Sequence, residues 1–431
     1  MLYLLAKLIA KFSFLAVYRK VYIINEDNVP GDRAALITCN HPNGFVEPLV
    51  IGGYIPHKIY FLVRGDVFDN KIARYFLNGV HCIPIFRFRD GFASMRKNNE
   101  SINETLNILT KKKPLIIFAE GSTKQVRYVR PIQKGTIRLA FDTLEKAPES
   151  KPCIVPSFIH FSHPQDYRSE VVMEYGAPIN ISDYGELYQT HKAKAIKKLL
   201  DDVNIAMQTL SISVDQSVKT EDADKIFEVA RSTVRDQSIY PIIQKLDKCD
   251  SRDTQKKAGI EFSGLDDTSR SNLLSGINQL NSNLKEAEIK YEQITGRTKS
   301  SFFNLIFLIL GFIPFVLGRL FNILPIAFAQ NFSRSKIKKI EFKAVMKLIP
   351  FLISYPIYLL VLGLVLGGIF SWKIGLSVLV LPFLGWFSYV YQGQFKELVA
   401  NRKYSVLKEE NRIKLKKDYE DILRKLNILS A

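Results

Sequence analysis

Between residues 32 and 215, short apolar runs alternate with amphipathic stretches. The runs are "AALITC", "IYFLV", "VHCIPIF", "PLIIFA", "CIVPSFIHF" and "VVMEY". Each is rich in β-branched or aromatic residues and is continuously apolar, the pattern of a strand buried on both faces. Helical spacing appears between them around 70–78, 91–111, 134–147 and 184–213. Strands alternating with helices predict an α/β fold, a mainly parallel sheet flanked by helices, over residues 25–215.

Three other stretches differ. Residues 1–24 are apolar with spaced cations, Lys7 and Lys11 lying on one helical face. This predicts an amphipathic helix at a membrane interface. Residues 216–299 are polar with helical patches and predict a helical extension or lid. Residues 300–395 contain long apolar stretches. The stretches 348–372 and 374–395 contain no charged residue and are separated by Lys373. Each is long enough to cross a bilayer, and together they predict a helical hairpin. Glycines and prolines interrupt 300–332, which predicts a re-entrant or paired segment. Six basic residues and one acid occupy 333–347, and the tail 396–431 is a basic amphipathic helix. The positive-inside rule puts both in the cytoplasm. The expectation is a multi-pass membrane protein with its α/β domain on the cytoplasmic face.

The net charge of +18 favours an anionic partner: nucleic acid, acidic lipid or a phosphorylated substrate. Much of the excess flanks the apolar spans, which argues against nucleic acid. Cys39, Cys82, Cys153 and Cys249 show no metal-ligand spacing and read as reduced, mostly buried thiols. Cys39 and His41 could form a nucleophile pair, although a core cysteine is the commoner role. His160 and His163 lack a third ligand, so no metal is expected.

Four strand exits carry candidate chemistry. In "NHPNGFVE" a strand ends at Asn40-His41, and Glu47 follows across a turn of Pro42, Asn43 and Gly44. A carboxylate holding one ring nitrogen leaves a histidine free to act as a base at the other. In "IPIFRFRDG" Arg87 emerges from a strand, where a guanidinium can fork onto a phosphate or pair with Asp90. "FAEGST" brings Glu120, Gly121 and Ser122 to a strand end, followed by Lys124, Arg127, Arg130 and Lys134, a basic density suited to an anionic substrate. "IVPSF" carries a proline that can shape a pocket wall.

The order of these elements resembles the glycerol-phosphate acyltransferase superfamily over about residues 20–210. The resemblance implies a membrane-bound O-acyltransferase with acyl-CoA or acyl-ACP as co-substrate and no cofactor. Its acceptor would be 1-acylglycerol 3-phosphate, with glycerol 3-phosphate or another lysolipid as the alternative. The catalytic residues would be His41 and Glu47. Asn43, Arg87, Glu120, Gly121, Ser122, Lys124 and Lys134 would bind substrate, Arg87 through the acceptor phosphate. Membrane lipids would be partners. The sequence departs from the family pattern at Val46, where an aspartate is usual and the acid comes one residue later. It departs again at Ala119, usually proline, and at Thr123, often arginine. A catalytically inactive membrane scaffold is the reading of another class that these departures suggest.

Overall fold

A computed structural model describes the chain except residues 1, 45, 87–91, 167–168, 235–241, 247–248, 297–301, 337–340, 342 and 429–431. It divides into two compact units: residues 1–213 with 242–249, and residues 214–241 with 250–431.

In the first unit, helix α1 (Leu2–Val17) leads into strand β1 (Lys20–Ile24). Strand β2 (Ala35–Cys39), helix α2 (Val46–Tyr54), strand β3 (Tyr60–Arg64) and helix α3 (Lys71–Gly79) follow. Next come β4 (Cys82–Ile85), α4 (Phe92–Thr110), β5 (Leu115–Phe118) and α5 (Lys134–Lys146). The unit continues with β6 (Cys153–Phe161), β7 (Glu170–Tyr175), β8 (Ile179–Asn180), α6 (Gly185–Thr190) and α7 (Lys192–Leu210). The strands form one sheet in the order β4-β3-β5-β2-β6-β7-β1-β9, where β9 is Ile242–Leu246, and β8 pairs with β6.

Pairing is parallel from β4 through β6 and again among β7, β1 and β9. Strand β6 runs antiparallel to its neighbours β7 and β8. The expected α/β class with a mainly parallel sheet is therefore present. The reason is visible in β2 and β6, every residue of which is buried. One face of the sheet packs on α4, α5 and α7 through Leu36, Leu115, Ile154, Phe141 and Leu199.

Two strands differ from the expectation. Residues 20–24, assigned above to the N-terminal helix, form β1, fully buried between β7 and β9. Strand β9 comes from the polar stretch read as a helical extension or lid. It adds to an edge of the sheet, where one apolar face suffices and a polar sequence is tolerated.

The second unit contains α8 (Thr220–Ser232), α9 (Asp250–Gly264), α10 (Asp267–Glu286) and α11 (Tyr291–Ile294). The apolar stretch follows as α12 (Phe302–Leu310), α13 (Phe312–Lys336), α14 (Lys343–Ile369), α15 (Trp372–Leu376) and α16 (Leu381–Val406), and α17 (Glu409–Lys425) closes the chain. Among the described residues, three helical stretches are long and apolar enough to cross a membrane: Phe312–Phe332, Pro350–Ile369 and Trp372–Val406.

Residues 302–310 and 312–336 form the consecutive helices α12 and α13. The helical ladder continues across Gly311, whose N–H donates to Phe307 O at 2.8 Å while its carbonyl accepts from Phe315 N at 2.9 Å. Packing contacts then run in antiparallel order along α16. Phe315 stacks on Tyr391, and Asn322 reaches Leu381 O. The residues read as breaks have other uses. Pro314 has no N–H to give Leu310 O, so the ladder skips one bond where α12 passes into α13. Gly318 lies against Leu384 O and Ser388 Oγ, so it permits close helix approach.

The polar helices before and after this stretch pack together. Ser232 Oγ lies 2.8 Å from Tyr419 Oη, Gln293 Nε2 donates to Asn401 Oδ1 at 3.0 Å, and Asn427 Nδ2 donates to Glu261 Oε1 at 3.1 Å. Where the helices between 294 and 409 cross a bilayer, flanking segments that share one bundle lie on the same side of it. Cysteines introduced at Lys285 and Lys417 are therefore expected to react with an impermeant thiol reagent from the same side of sealed vesicles. Reaction from opposite sides would rule this packing out.

Candidate active site

Strand β2 lies between β5 and β6, with Cys39 in register with Phe118. Beyond Cys39 the chain is held by Asn40. Its Nδ2 donates to Ile159 O at 2.9 Å and its Oδ1 accepts from Ile159 N at 2.8 Å. This two-bond clamp to β6 fixes the point at which His41 leaves the sheet. The register of β5 then places Phe118 beside the imidazole, and the two rings stack at 4.1 Å and 19°. The ring plane of His41 is thus set by a strand that sequence spacing does not connect to it.

After Pro42 and Asn43 the chain turns at Gly44, which adopts φ 65°, a conformation costly for residues with a Cβ. Helix α2 begins at Val46, so Glu47 sits in its first turn, where the helix dipole favours a negative charge. Its carboxylate is fully buried and accepts a hydrogen bond from Asn43 N through Oε1. The other oxygen, Oε2, faces His41 Nδ1 at 3.6 Å. Neither of these two atoms has a hydrogen-bond partner among the described residues. The histidine and glutamate therefore oppose each other across a short gap that a modest ring movement closes, as catalytic pairs often do without substrate.

The turn after β5 forms the adjoining wall. Glu120 Oε2 accepts from His41 N at 3.3 Å, and Lys124 N donates to His41 O at 3.1 Å. Gly121 adopts φ 71° and has Gln133 against it. Arg130 ties the turn together: its guanidinium meets Glu120 Oε2 and Ser122 O and donates to Ser122 Oγ at 2.9 Å. Burial raises the Glu120 carboxyl above its ordinary pKa, and the charge and hydrogen bonds of Arg130 pull it back down. Cys39 is buried with its thiol pushed up by burial, the opposite of what a nucleophilic thiolate needs.

Of the residues singled out from sequence, His41, Glu47, Glu120, Gly121, Ser122 and the backbone of Lys124 come together here. The Lys124 side chain is exposed. Lys134 opens α5, also exposed, next to Gln133, whose N–H donates to Ala119 O at 2.7 Å. Asn43 is buried, donates to Pro164 O at 3.1 Å and accepts from Gln125 Nε2 at 3.3 Å, so its amide latches three loops. Arg87 lies outside the described residues. Phe86 just before it is held by Asn98 of α4, which accepts from its N–H at 2.8 Å and donates to its carbonyl at 2.6 Å. No cluster of three metal-ligating side chains occurs among the described residues.

Sequence reasoning missed the stacking of Phe118 and the ion pair of Arg130. It also missed Arg127, buried with donors to Phe161 O at 2.9 Å and Ser162 O at 3.2 Å. The signal for both arginines was present as local basic density, but a loop without periodicity does not say which carboxylate a cation meets.

Residues 20–160 match the Acyltransferase family model. This stretch is an acyltransferase-family domain. The chain is 28% identical over 141 residues to glycerol-3-phosphate O-acyltransferase 2 of Saccharomyces cerevisiae, covering 32% of this chain and 18% of the yeast protein. It is 25% identical over 202 residues to the 1-acyl-sn-glycerol-3-phosphate acyltransferase of Bacillus subtilis, covering 46% of this chain and 90% of that protein. The crystal structure of the 1-acyl-sn-glycerophosphate acyltransferase PlsC from Thermotoga maritima overlaps 46% of this chain and 78% of its own, at 14% identity and a TM-score of 0.34. The stretch that the family model matches lies in the first unit and includes His41 and Glu47.

The Arg130–Glu120 contact makes a pH-dependent prediction. Glu120 has its folded pKa raised, so its protonated form favours the fold and its ionisation is tolerated only beside Arg130. Arg130→Met removes the group that lowers this pKa. The loss of stability, of order 3–5 kcal/mol for a broken buried pair, is expected to be larger at pH 8 than at pH 5, because the lone carboxyl accepts a proton in acid. Thermal melting of both proteins in detergent at the two pH values checks this. A loss independent of pH would mean that Glu120 is not the group Arg130 serves.

Proposed function

We propose that the protein transfers a fatty acyl group from acyl-CoA or acyl-ACP to the hydroxyl of 1-acylglycerol 3-phosphate. The observation that carries this reading is the opposition of His41 Nδ1 and Glu47 Oε2 at the exit of β2. With Nδ1 turned toward Glu47, Nε2 is the ring nitrogen left to take a proton. It removes the acceptor hydroxyl proton as the oxygen attacks the thioester carbonyl. The carbonyl carbon–sulfur bond then breaks, and the imidazolium returns the proton to the leaving thiolate. Glu47 holds the ring in place and balances the imidazolium charge. The ester forms without a covalent enzyme intermediate. Arg87 holds the acceptor phosphate, with Lys124 and Lys134 adding positive potential. The spans keep the enzyme where acceptor and product dissolve, and the domain works from the cytoplasmic face, where thioester donors are made.

The match to a yeast glycerol-3-phosphate acyltransferase favours a second acceptor, glycerol 3-phosphate. Initial rates with both acceptors, each with CoA and ACP donors, separate the two. Transfer to neither would leave the inactive scaffold.

Glu47→Gln keeps the shape of the side chain and loses its charge. A fall of about 10²–10⁴-fold in rate is expected, with melting temperature checked first. His41→Ala should be at least as damaging, and the double variant little worse, because residues that act as a unit are not additive. A well-folded Glu47→Gln protein at near-normal rate would remove Glu47 from the mechanism. Arg87→Ala should raise the acceptor KM far more than the donor KM, since the bound phosphate loses a charge-assisted fork. Equal effects on both substrates would put Arg87 elsewhere.

A further inference from the structure

Helix α3 carries its side chains in three arcs. Successive residues turn by about 100° around a helix axis, so Ala73 and Leu77 fall on one side, Lys71, Arg74 and Asn78 on a second, and Ile72, Tyr75 and Phe76 on a third. Only the first arc turns toward the domain, since Ala73 and Leu77 are half-buried and no residue of α3 is buried. The third arc is apolar yet open: Ile72 is 70% exposed, Tyr75 73% and Phe76 52%. A helix packed on a water-soluble domain ordinarily turns its apolar stripe inward. Here an additional stripe is turned out.

The helix is held firmly in that attitude. Asn70 caps it, accepting from Ile72 N at 2.9 Å and Ala73 N at 3.0 Å, and Arg74 Nε donates to Phe68 O at 2.8 Å. Gly79, on the apolar arc, lies against the Leu2 side chain. Tyr3 stacks on His81 at 4.6 Å, just past the end of α3. Helix α1 therefore continues the apolar surface of α3, and its own Leu4, Leu5 and Leu8 are exposed. Contiguous apolar patches of this kind on a domain surface mark a binding face.

We propose that the apolar arc of α3 is a second insertion point, beside α1, by which the acyltransferase domain rests in the interface of an anionic phospholipid bilayer. Three observations select a bilayer as the occupant. The same chain carries helices long and apolar enough to cross a membrane, and a tether of this kind keeps the domain at a high effective concentration near lipid. Lys71 and Arg74 are exposed on the arc beside the apolar one, where they reach anionic headgroups as Phe76 and Ile72 enter the acyl boundary. Tyr75 supplies an aromatic ring with a polar tip, the side chain favoured at that depth. Helix α3 follows β3 and so begins at the end of the sheet where His41 leaves β2. Resting on α3 and α1 brings that end of the domain to the lipid.

The full-length protein in nanodiscs containing anionic phospholipid tests this, with nitroxide labels at single cysteines 72, 76 and 78 in a background where the four native cysteines are replaced. Labels at 72 and 76 are expected to be more accessible to oxygen than to a water-soluble nickel chelate, and the label at 78 the reverse. Nickel accessibility at 72 and 76 equal to that at 78 would overturn the proposal. So would spin–spin broadening at 76, which would assign the face to a second copy of the chain. The contact does not depend on the reaction, so this measurement stands even if acyl transfer fails. A second arm rests on the proposed activity. Phe76→Glu should lower transfer to a long-chain acceptor in vesicles by roughly tenfold or more and leave transfer to a short-chain, water-soluble acceptor unchanged. Equal loss with both acceptors would show a structural defect and count against the proposal.

Discussion

The two hydrogen bonds between Asn40 and Ile159 hold the end of β2 against β6, and the rest of the site is measured from that clamp. Strand β2 has β5 on its other side in a register that sets Cys39 opposite Phe118. Two residues beyond each of these lie His41 and Glu120, which meet through the His41 N–H. A shift of one residue in either pairing would turn every side chain of the strand to the opposite face. Such a shift is opposed by close packing on both faces of β2 and β6, because each side chain would have to fit a space shaped for its neighbour. Positional accuracy at the histidine is thus inherited from apolar burial in the sheet, not created by the polar residues around it.

The polar residues instead solve an electrostatic problem. Glu47 and Glu120 are both buried beside the same histidine, and two such carboxylates are costly to desolvate. The chain gives them different support. Glu47 has the first turn of a helix, the Asn43 N–H and the His41 imidazole opposite its second oxygen. Glu120 has a permanent guanidinium. One carboxylate is neutralised at rest and serves as architecture, whereas the other keeps one oxygen unpaired and faces the ring. This division is the ground for proposing Glu47, and not Glu120, as the catalytic partner of His41.

The six long apolar strands and the helices between them could be read from the chain because parallel strands buried on both faces leave continuous runs. β1 could not, because "KVYII" directly continues the apolar pattern of α1 and no turn residue separates them. β9 could not, because "IIQKL" at a sheet edge mixes polar and apolar residues within a polar segment. At the site, His41 and Glu47 were legible because a local turn joins them. Phe118 was not, since ring stacking depends on strand register, and the partner of Arg130 was not, since an irregular loop of ten residues sets no direction. Gly311 and Pro314 sit within a helical stretch for a related reason. Residues that end helices in water are accommodated in apolar helices when a neighbouring helix packs closely against them.

That close packing brings a polar atom into the apolar half of the chain with its own logic. Asn322 is buried among α13, α14 and α16. Its Nδ2 donates to Gly318 O at 2.8 Å and to Leu381 O at 3.1 Å, and its Oδ1 accepts from the Tyr355 hydroxyl. Gly318 and Gly385 provide the room, since a Cβ on Gly318 would meet Leu384 O and one on Gly385 would meet the Asn322 amide itself. Apolar packing alone tolerates sliding between smooth helices, because one leucine contact resembles the next. A single amide whose three bonds go to three helices does not, because any slide leaves a donor or acceptor unpaired in surroundings without water. The two units thus use opposite arrangements for the same end. In the sheet, apolar burial fixes the register and polar groups are placed by it. In the apolar helices, where burial fixes no register, one polar group does so, and the glycines around it let the backbones come near enough for it to reach.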